Sequence, residues 1–350
     1  MERSRSNRLD EIAGDPGIAG LLDDDSELAA MLAFERALAA AQAETGRVPA
    51  ESAVEIEAAI RIFQPNHDGL AAGMARDGLV VPALISQLRA TLPEAHRKWL
   101  HFGSTSQDVI DTALIIRLKP VVAQLGQRLG TVIDGLRHLQ NTEGGTPLMA
   151  HTRMQRALPS TAGERISTWL LPLLRHQNRL HELSSRLLVI QMGGPIGVRG
   201  EKGEAVAAAL ARHLGLGNAP PWHNARDSIA EFAGWLSLVT GALGKTGQDV
   251  ALMAQNEVGT VTIGGGGTSS AMPHKSNPVT AEILVTLARF NAGMLGTLHQ
   301  SLVHENERSG AAWTLEWMVL PQMVVTAGAA LRHADALISG LHMIDTLGAR

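Results

Sequence analysis

The sequence predicts an all-α protein, on three observations. Apolar residues recur at helical spacing over several stretches of more than 20 residues. The alternation of apolar and polar residues that marks a half-buried strand is hard to find. The stretch 228–255 carries few charges and is apolar nearly all round, so a helix there must be buried on several sides. Five long helices, several too apolar for the surface of a monomer, predict a bundle that is completed by other subunits.

The first 100 residues predict a small domain of short helices. Asp25-Ser26 precedes the first of them, and Gly46 ends it. Pro49 precedes a second helix. Asn66 opens a third, and Val81 begins a fourth.

The remainder, 101–350, predicts a domain of long helices. They are predicted at 109–140, 160–191, 228–255, 278–303 and 313–341, with a shorter one at 203–214. Pro120 should kink the first long helix and Pro172 should interrupt the second, because proline lacks the N–H that a helix needs. Pro321 lies inside the last.

Composition excludes several functional classes. Of 350 residues 45% are hydrophobic, so a sizeable core is expected. There is no cysteine, which excludes disulfides and thiolate chemistry. The net charge is -4, tyrosine is absent and aromatic residues make up 3%, so the stacking surfaces of nucleic-acid binders are missing. The predicted partner is a small molecule.

The sequence also predicts a cytoplasmic protein without a membrane span. The first 15 residues have no apolar core of the kind found in secretory signals. The most apolar window, 232–244, is shorter than the roughly 20 residues that a membrane span needs. Histidines are scattered without the spacing of zinc ligands, so no metal site is predicted.

A glycine-rich stretch at 264–278, GGGGTSSAMPHKSNP, is the most distinctive in the chain. Glycines allow a close approach of the backbone to a ligand, and the stretch offers hydroxyls, backbone N–H groups and one ammonium. It predicts a mobile loop that folds over an anion. The alternative is a flexible linker, although linkers rarely lead straight into a helix.

A second candidate site is the start of the first long helix. Thr105, Ser106 and Asp108 are residues that begin helices, which alone would explain them. Free N–H groups at a helix N-terminus also bind anions, and His101 is close in sequence. Both interpretations stay open.

Two further stretches concentrate charge. Two arginines, a histidine and a glutamine lie within 151–156, where Arg153 could hold a carboxylate or simply face solvent at a helix start. Glu282 lies on an otherwise apolar helix, so it either pairs with a cation, with Arg153 as the candidate, or faces solvent. The charges of 305–308 fit either a surface turn or a binding site.

Three blocks resemble motifs of the fumarase/aspartase superfamily, which includes argininosuccinate and adenylosuccinate lyases. The family motif T-S-x-D is matched by Thr105–Asp108, T-H-x-Q by Thr152–Gln155, and G-S-S-x-M-P-x-K-x-N by Thr268–Asn277. The segment 307–317 looks like the H-E-R-A-A-G-P-W-x-x-E-W stretch of bacterial 3-carboxy-cis,cis-muconate cycloisomerases. Arg153 stands where the lyases hold a catalytic histidine, which the cycloisomerases also lack. The residue expected there is usually aromatic, so the substrate stays open.

The resemblance implies a homotetramer whose long helices form a central bundle, with each active site built from three subunits. It implies no cofactor and no metal. It also implies a C-terminal helical domain, and because the sequence stops at Arg350 we expect that domain to be absent or truncated. The implied substrate is a small polycarboxylate, with no nucleic acid or membrane as partner.

The implied reaction is the conversion of 3-carboxy-cis,cis-muconate to 4-carboxymuconolactone, in the β-ketoadipate pathway of aromatic degradation. The alternatives are a muconate with a different anionic substituent, which Arg153 could serve, an adenylosuccinate or argininosuccinate type of lyase, and a catalytically silent homologue.

The resemblance also assigns roles residue by residue. Ser269 transfers the proton, with His151 and His274 as alternatives, and Lys275 and Asn277 stabilise the developing charge. The substrate-binding residues are Thr105, Ser106, Arg153, Gln155, Ser270 and Arg308, with His67 and His101 near the site. Glu282, the partner of the histidine in the lyases, is expected to pair with Arg153.

Overall fold

The computed structural model describes residues 8–264, 267–268 and 276–347, and it is all-α, as predicted. The small helices are α1 Asp10–Ala13, α2 Pro16–Ala19, α3 Asp24–Glu44, α4 Ala50–Ile62, α5 His67–Asp77, α6 Val81–Thr91 and α7 Glu94–Arg97. The others are α8 Ser106–Glu143, α9 Ala162–Leu187, α10 Gly200–Leu214, α11 Asp227–Met253, α12 Val279–Gln300 and α13 Ala311–Ser339. The strands are β1 Pro147–Thr152, β2 Gln155–Thr161, β3 Val261–Ile263, β4 Gly267–Thr268, β5 Ser276–Asn277 and β6 Leu341–Met343.

The ends of the short helices follow local side-chain chemistry. Asn66 caps α5 by accepting the N–H of Gly69 at 3.0 Å, and Gly78 ends that helix in the left-handed region. The predicted start of α3 at Asp25-Ser26 is wrong by two residues. Asp23 is the cap, because its Oδ1 accepts the N–H of Ser26 at 2.8 Å.

Pro172 does not interrupt α9, which runs unbroken through it. The loss of one backbone hydrogen bond is outweighed by a buried face on either side of the proline, where Trp169 and Leu173 are 2% and 1% exposed. α8 and α13 also continue through Pro120 and Pro321.

A hairpin occupies 147–161, where the sequence showed no strand and a helix was predicted from residue 160. β1 and β2 pair antiparallel, with Thr152 opposite Gln155. All side chains from 151 to 159 are exposed. A ribbon in which Leu148 is the one buried side chain leaves no apolar alternation in the sequence, which is why pattern analysis missed it.

Two apolar clusters form the core. The larger one lies between α8, α9, α11, α12 and α13. The smaller one joins α3 to α6, the start of α8, and α10, which packs against α3. The domain boundary near residue 100 stays a prediction, and α10 contributes to the smaller cluster although it follows that boundary by 100 residues in the chain.

One helix of the described residues, α13, is long and apolar enough to cross a membrane by composition, with a mean hydropathy of 1.2 over its best window. Of that window 61% is buried inside the protein, and core helices of soluble proteins pass the same test. The finding is weak evidence for a membrane span.

Candidate active site

A cleft of about 910 Å³ opens where the N-terminus of α8 meets the N-terminus of α13. Thr105, Ser106 and Arg308, three of the predicted substrate-binding residues, line it together. Trp313 and Trp317 of α13 form part of its apolar wall. The structure therefore brings together residues that are 200 positions apart in the sequence.

The start of α8 is built around a buried carboxylate. The N–H of Thr105 donates to Asp108 Oδ2 at 3.2 Å, which confirms the predicted capping role of the two residues. Asp108 is fully buried and also accepts the N–H groups of Gly193 and Gly194 at 2.8 and 2.9 Å. It thus fixes the 193–195 loop against the helix, beside the cleft.

Arg308 is half-buried at the edge of the cleft and is held by neutral acceptors. Its Nη1 donates to Gln107 Oε1 at 2.7 Å, its Nη2 to the carbonyl of Gly194, and its Nε to that of Pro195 at 3.4 Å. Among the described residues, no carboxylate lies within ion-pairing distance of the guanidinium. Arg308 therefore makes no direct ion pair and faces a solvent-accessible cleft, and the charge of the buried Asp108 carboxylate acts on it from a longer distance.

Behind the cleft lies a buried ion cluster of Asp111, Arg226 and Glu316, which sequence analysis missed. Arg226 donates to Asp111 Oδ2 and Oδ1 at 2.6 and 3.0 Å and to Glu316 Oε2 and Oε1 at 2.9 and 2.5 Å. Burial alone would lower the pKa of Arg226, but the two carboxylates outweigh it and raise that pKa. The available signal was Asp111 itself, a charge on the apolar face of a helix.

His101 lies against Glu35 of α3, and it is not among the residues that line the cleft. Its Nδ1 is 2.6 Å from Glu35 Oε1, and Glu35 is 1% exposed. Burial lowers the pKa of His101, but the charge and hydrogen bond of Glu35 outweigh it and raise the pKa. The structure thus shows an ion pair between α3 and the loop before α8.

His67 lines a different cavity, of about 810 Å³, between α5 and the helices α3, α8 and α13. Trp317 borders both this cavity and the cleft. Within one chain, then, His67 and Ser106 line different cavities, which share Trp317 as a border.

Arg153 and Gln155 lie at the tip of the hairpin, away from the cleft of their own chain. Arg153 and Met154 both have positive φ, 47° and 66°. Glu282 is exposed on the first turn of α12. Within one chain, neither Arg153 nor Glu282 pairs with a described residue through its side chain, so their predicted pairing is not satisfied there.

Asn277 is half-buried in β5, opposite Gly267 of β4, and His151 is exposed in β1. Ser269, Ser270, His274 and Lys275 lie outside the described residues. Their predicted roles stay predictions.

The chain is similar to several known proteins. A protein-family model described as Lyase matches residues 20–291. The chain is 41% identical to 3-carboxy-cis,cis-muconate cycloisomerase of Pseudomonas aeruginosa, with 92% of this chain and 72% of the relative covered. The enzyme of that name from Pseudomonas putida is 37% identical, with 94% and 80% covered. The crystal structure of the 3-carboxy-cis,cis-muconate lactonizing enzyme from Pseudomonas putida superposes with a TM-score of 0.89 at 36% identity, over 97% of this chain and 78% of that one.

Proposed function

Because the chain belongs to the lyase family of the fumarase/aspartase superfamily, we propose that it converts 3-carboxy-cis,cis-muconate to 4-carboxymuconolactone. The two relatives and the solved structure described above carry the name of this activity at 36–41% identity. The proposed substrate has three carboxylates, and the proposed location of the enzyme is the cytoplasm.

Arg308 is the observation that carries the proposal. A guanidinium held only by carbonyl oxygens keeps its full charge and can form two parallel hydrogen bonds with a carboxylate. The Ser106 hydroxyl at the start of α8, which bonds to no other described residue, lines the same cleft, and the N-terminus of the helix favours an anion there. We therefore place one substrate carboxylate between Arg308 and Ser106.

The reaction is an intramolecular addition in which no atom is lost. A carboxylate oxygen of the substrate forms a bond to a carbon of its own double bond, and the π electrons move to the adjacent carbon, where a neighbouring carboxyl group stabilises them. A proton then adds to that carbon. We propose Ser269 as the donor, with His151 and His274 as alternatives, and Lys275 and Asn277 as the groups that stabilise the enolate-like intermediate.

We also propose that the active site is shared between the subunits of a homotetramer. The Thr152–Gln155 motif lies at the exposed tip of the hairpin, and none of its residues lines the cleft of its own chain. Large apolar side chains are exposed on the long helices: Leu171 and Leu238 at 52% each and Met318 at 63%. Burying such surfaces between subunits would bring the hairpin of one chain to the cleft of another.

Activity is expected with purified protein and 3-carboxy-cis,cis-muconate alone, followed as a fall in substrate absorbance. Ser269→Ala should abolish the fall, whereas Ser185→Ala, which changes an exposed serine on α9, should leave it unchanged. Unchanged decay with Ser269→Ala would remove that residue from the mechanism. Turnover of adenylosuccinate, argininosuccinate or another substituted muconate, with none of the proposed substrate, would contradict the proposed function.

Shared sites predict complementation between inactive variants. Gln155→Ala and Arg308→Ala are each expected to be nearly inactive, but tetramers reassembled from an equal mixture should regain about one quarter of the wild-type activity. In such a mixture, about one site in four combines a chain that has an intact Arg308 with a chain that has an intact Gln155. A mixture that stays as inactive as its components would contradict sharing. Mixing two samples of Arg308→Ala is the control.

A further inference from the structure

Gln107 of the Thr105–Asp108 motif is 2% exposed, and its side-chain amide forms its hydrogen bonds inside the protein. Its Nε2 donates to Asp111 Oδ2 at 3.1 Å and to the carbonyl of His223 at 2.7 Å, and its Oε1 accepts from Arg308 Nη1 at 2.7 Å. Because the Asp111 carboxylate and the His223 carbonyl can only accept, the amide has one satisfactory orientation, with its oxygen towards Arg308.

The acceptor that orients Gln107 is itself immobile. Asp111 is fully buried and lies one turn further along α8, on the same face as Gln107. It also accepts two hydrogen bonds from Arg226 and one from Trp313 Nε1 at 3.0 Å. The Asp111 carboxylate is held by these donors and cannot rotate freely. It therefore keeps the amide of Gln107 in a fixed orientation.

Arg308 is also held from its other side by the same motif. Its Nη2 donates to the carbonyl of Gly194, whose own N–H donates to Asp108 Oδ2 at 2.9 Å. Gln107 therefore holds the guanidinium directly and Asp108 holds it through the loop. Ser106, which directly precedes Gln107 in the sequence, lines the cleft.

We propose that Gln107 is a positioning residue, which fixes Arg308 for a substrate carboxylate without neutralising its charge. The proposal rests on the proposed function and concerns the polycarboxylate-binding part of that site. A carboxylate at position 107 would also pair with Arg308, but it would cancel the charge that the substrate needs, and it would lose the N–H groups that Gln107 donates to Asp111 and to the carbonyl of His223. An apolar residue at position 107 would leave the charge of Arg308 unchanged, but it would no longer hold the Arg308 side chain in place.

Gln107→Met and Gln107→Glu separate these two effects. Gln107→Met is expected to lower kcat/KM by about 10- to 100-fold, mainly through a higher KM, because a misplaced anchor weakens substrate binding. Gln107→Glu should raise KM further, because its carboxylate competes with the substrate for Arg308. A KM for Gln107→Glu equal to or below that of wild type would overturn the proposal, even if Gln107→Met failed to fold.

A double-mutant cycle with Arg308→Lys distinguishes positioning from a structural role. Lysine cannot form the guanidinium fork, so Gln107→Met should lower kcat/KM less than about threefold in that background. Equal effects of Gln107→Met in both backgrounds would show that it acts through stability alone. The matched control is Gln140→Met, which removes hydrogen bonds to Gly163 and Ser167 near the far end of α8 and should leave KM unchanged.

Binding of tricarballylate, an unreactive tricarboxylate, tests the positioning role without turnover. Trp313 and Trp317 line the cleft, so their fluorescence should report its occupancy. Gln107→Met should raise the Kd by about tenfold or more, and Gln140→Met should not. An unchanged Kd for Gln107→Met would overturn the positioning role. A raised Kd in a protein that does not turn over 3-carboxy-cis,cis-muconate would uphold it and contradict only the proposed reaction.

Discussion

Replacing Arg308 with alanine is expected to lower kcat/KM by about 100- to 1000-fold, which corresponds to about 3–4 kcal/mol of transition-state stabilisation. The guanidinium is the one cation that lines the cleft within the described residues, and it makes no direct ion pair, since Asp77 of the same lining pairs with Arg76. Steady-state kinetics with 3-carboxy-cis,cis-muconate measure the loss.

Two further variants serve as comparisons for Arg308→Ala. Arg308→Lys keeps the charge but loses the paired N–H groups, so it should retain activity between that of wild type and Arg308→Ala. Arg186→Ala removes an exposed arginine that pairs with Glu231 on the surface, and it should leave kcat/KM unchanged. A kcat/KM of Arg308→Ala within threefold of wild type would mean that the carboxylate binds elsewhere.

Replacing Arg226 with methionine is expected to lower the free energy of unfolding by about 3–5 kcal/mol. The substitution leaves Asp111 and Glu316, at 0% and 1% exposure, as neighbouring buried carboxylates without a cation. Urea denaturation at a fixed protein concentration measures the change, because subunit association contributes to stability.

Removing all three charges of the buried ion cluster should lower the free energy of unfolding less than removing the charge of Arg226 alone. Arg226→Met combined with Asp111→Asn and Glu316→Gln leaves polar groups of nearly the same shape but no unpaired charge, so part of the stability should return. A triple variant less stable than Arg226→Met would show that the hydrogen bonds matter more than the charges. Arg186→Met, at the exposed pair, should change stability little.

The sequence predicted the helices well because their signals are local. Asn66 and Gly78 bound α5 through their own backbone chemistry, and Thr105 opens α8 through a cap three residues long. The hairpin at 147–161 gave no such signal, because Leu148 is its one buried side chain. Its tip holds two non-glycine residues at positive φ, which sequence alone rarely predicts.

Residues that line the site were predicted from the sequence, but the buried residues that hold them in place were not. Ser106 and Arg308 are recognisable from motifs, and the structure places both at one cleft. Gln107, Asp111 and Arg226 act through contacts between distant parts of the chain, and Asp111, a charge on the apolar face of α8, is the one local signal among them. Sequence spacing also cannot show that His67 lines a different cavity from Ser106, since this depends on how α5 packs.

The buried ion cluster has a consequence for the order in which the chain folds. Asp111 and Arg226 are separated by 115 positions, and Arg226 and Glu316 by 90. Contacts that close such long loops form late, because their entropic cost comes before their energetic return. On the ribosome, Arg226 emerges with only one of its two carboxylates available, and the second follows when α13 has been synthesised. The cleft can therefore become fully ordered only after α13 has been synthesised.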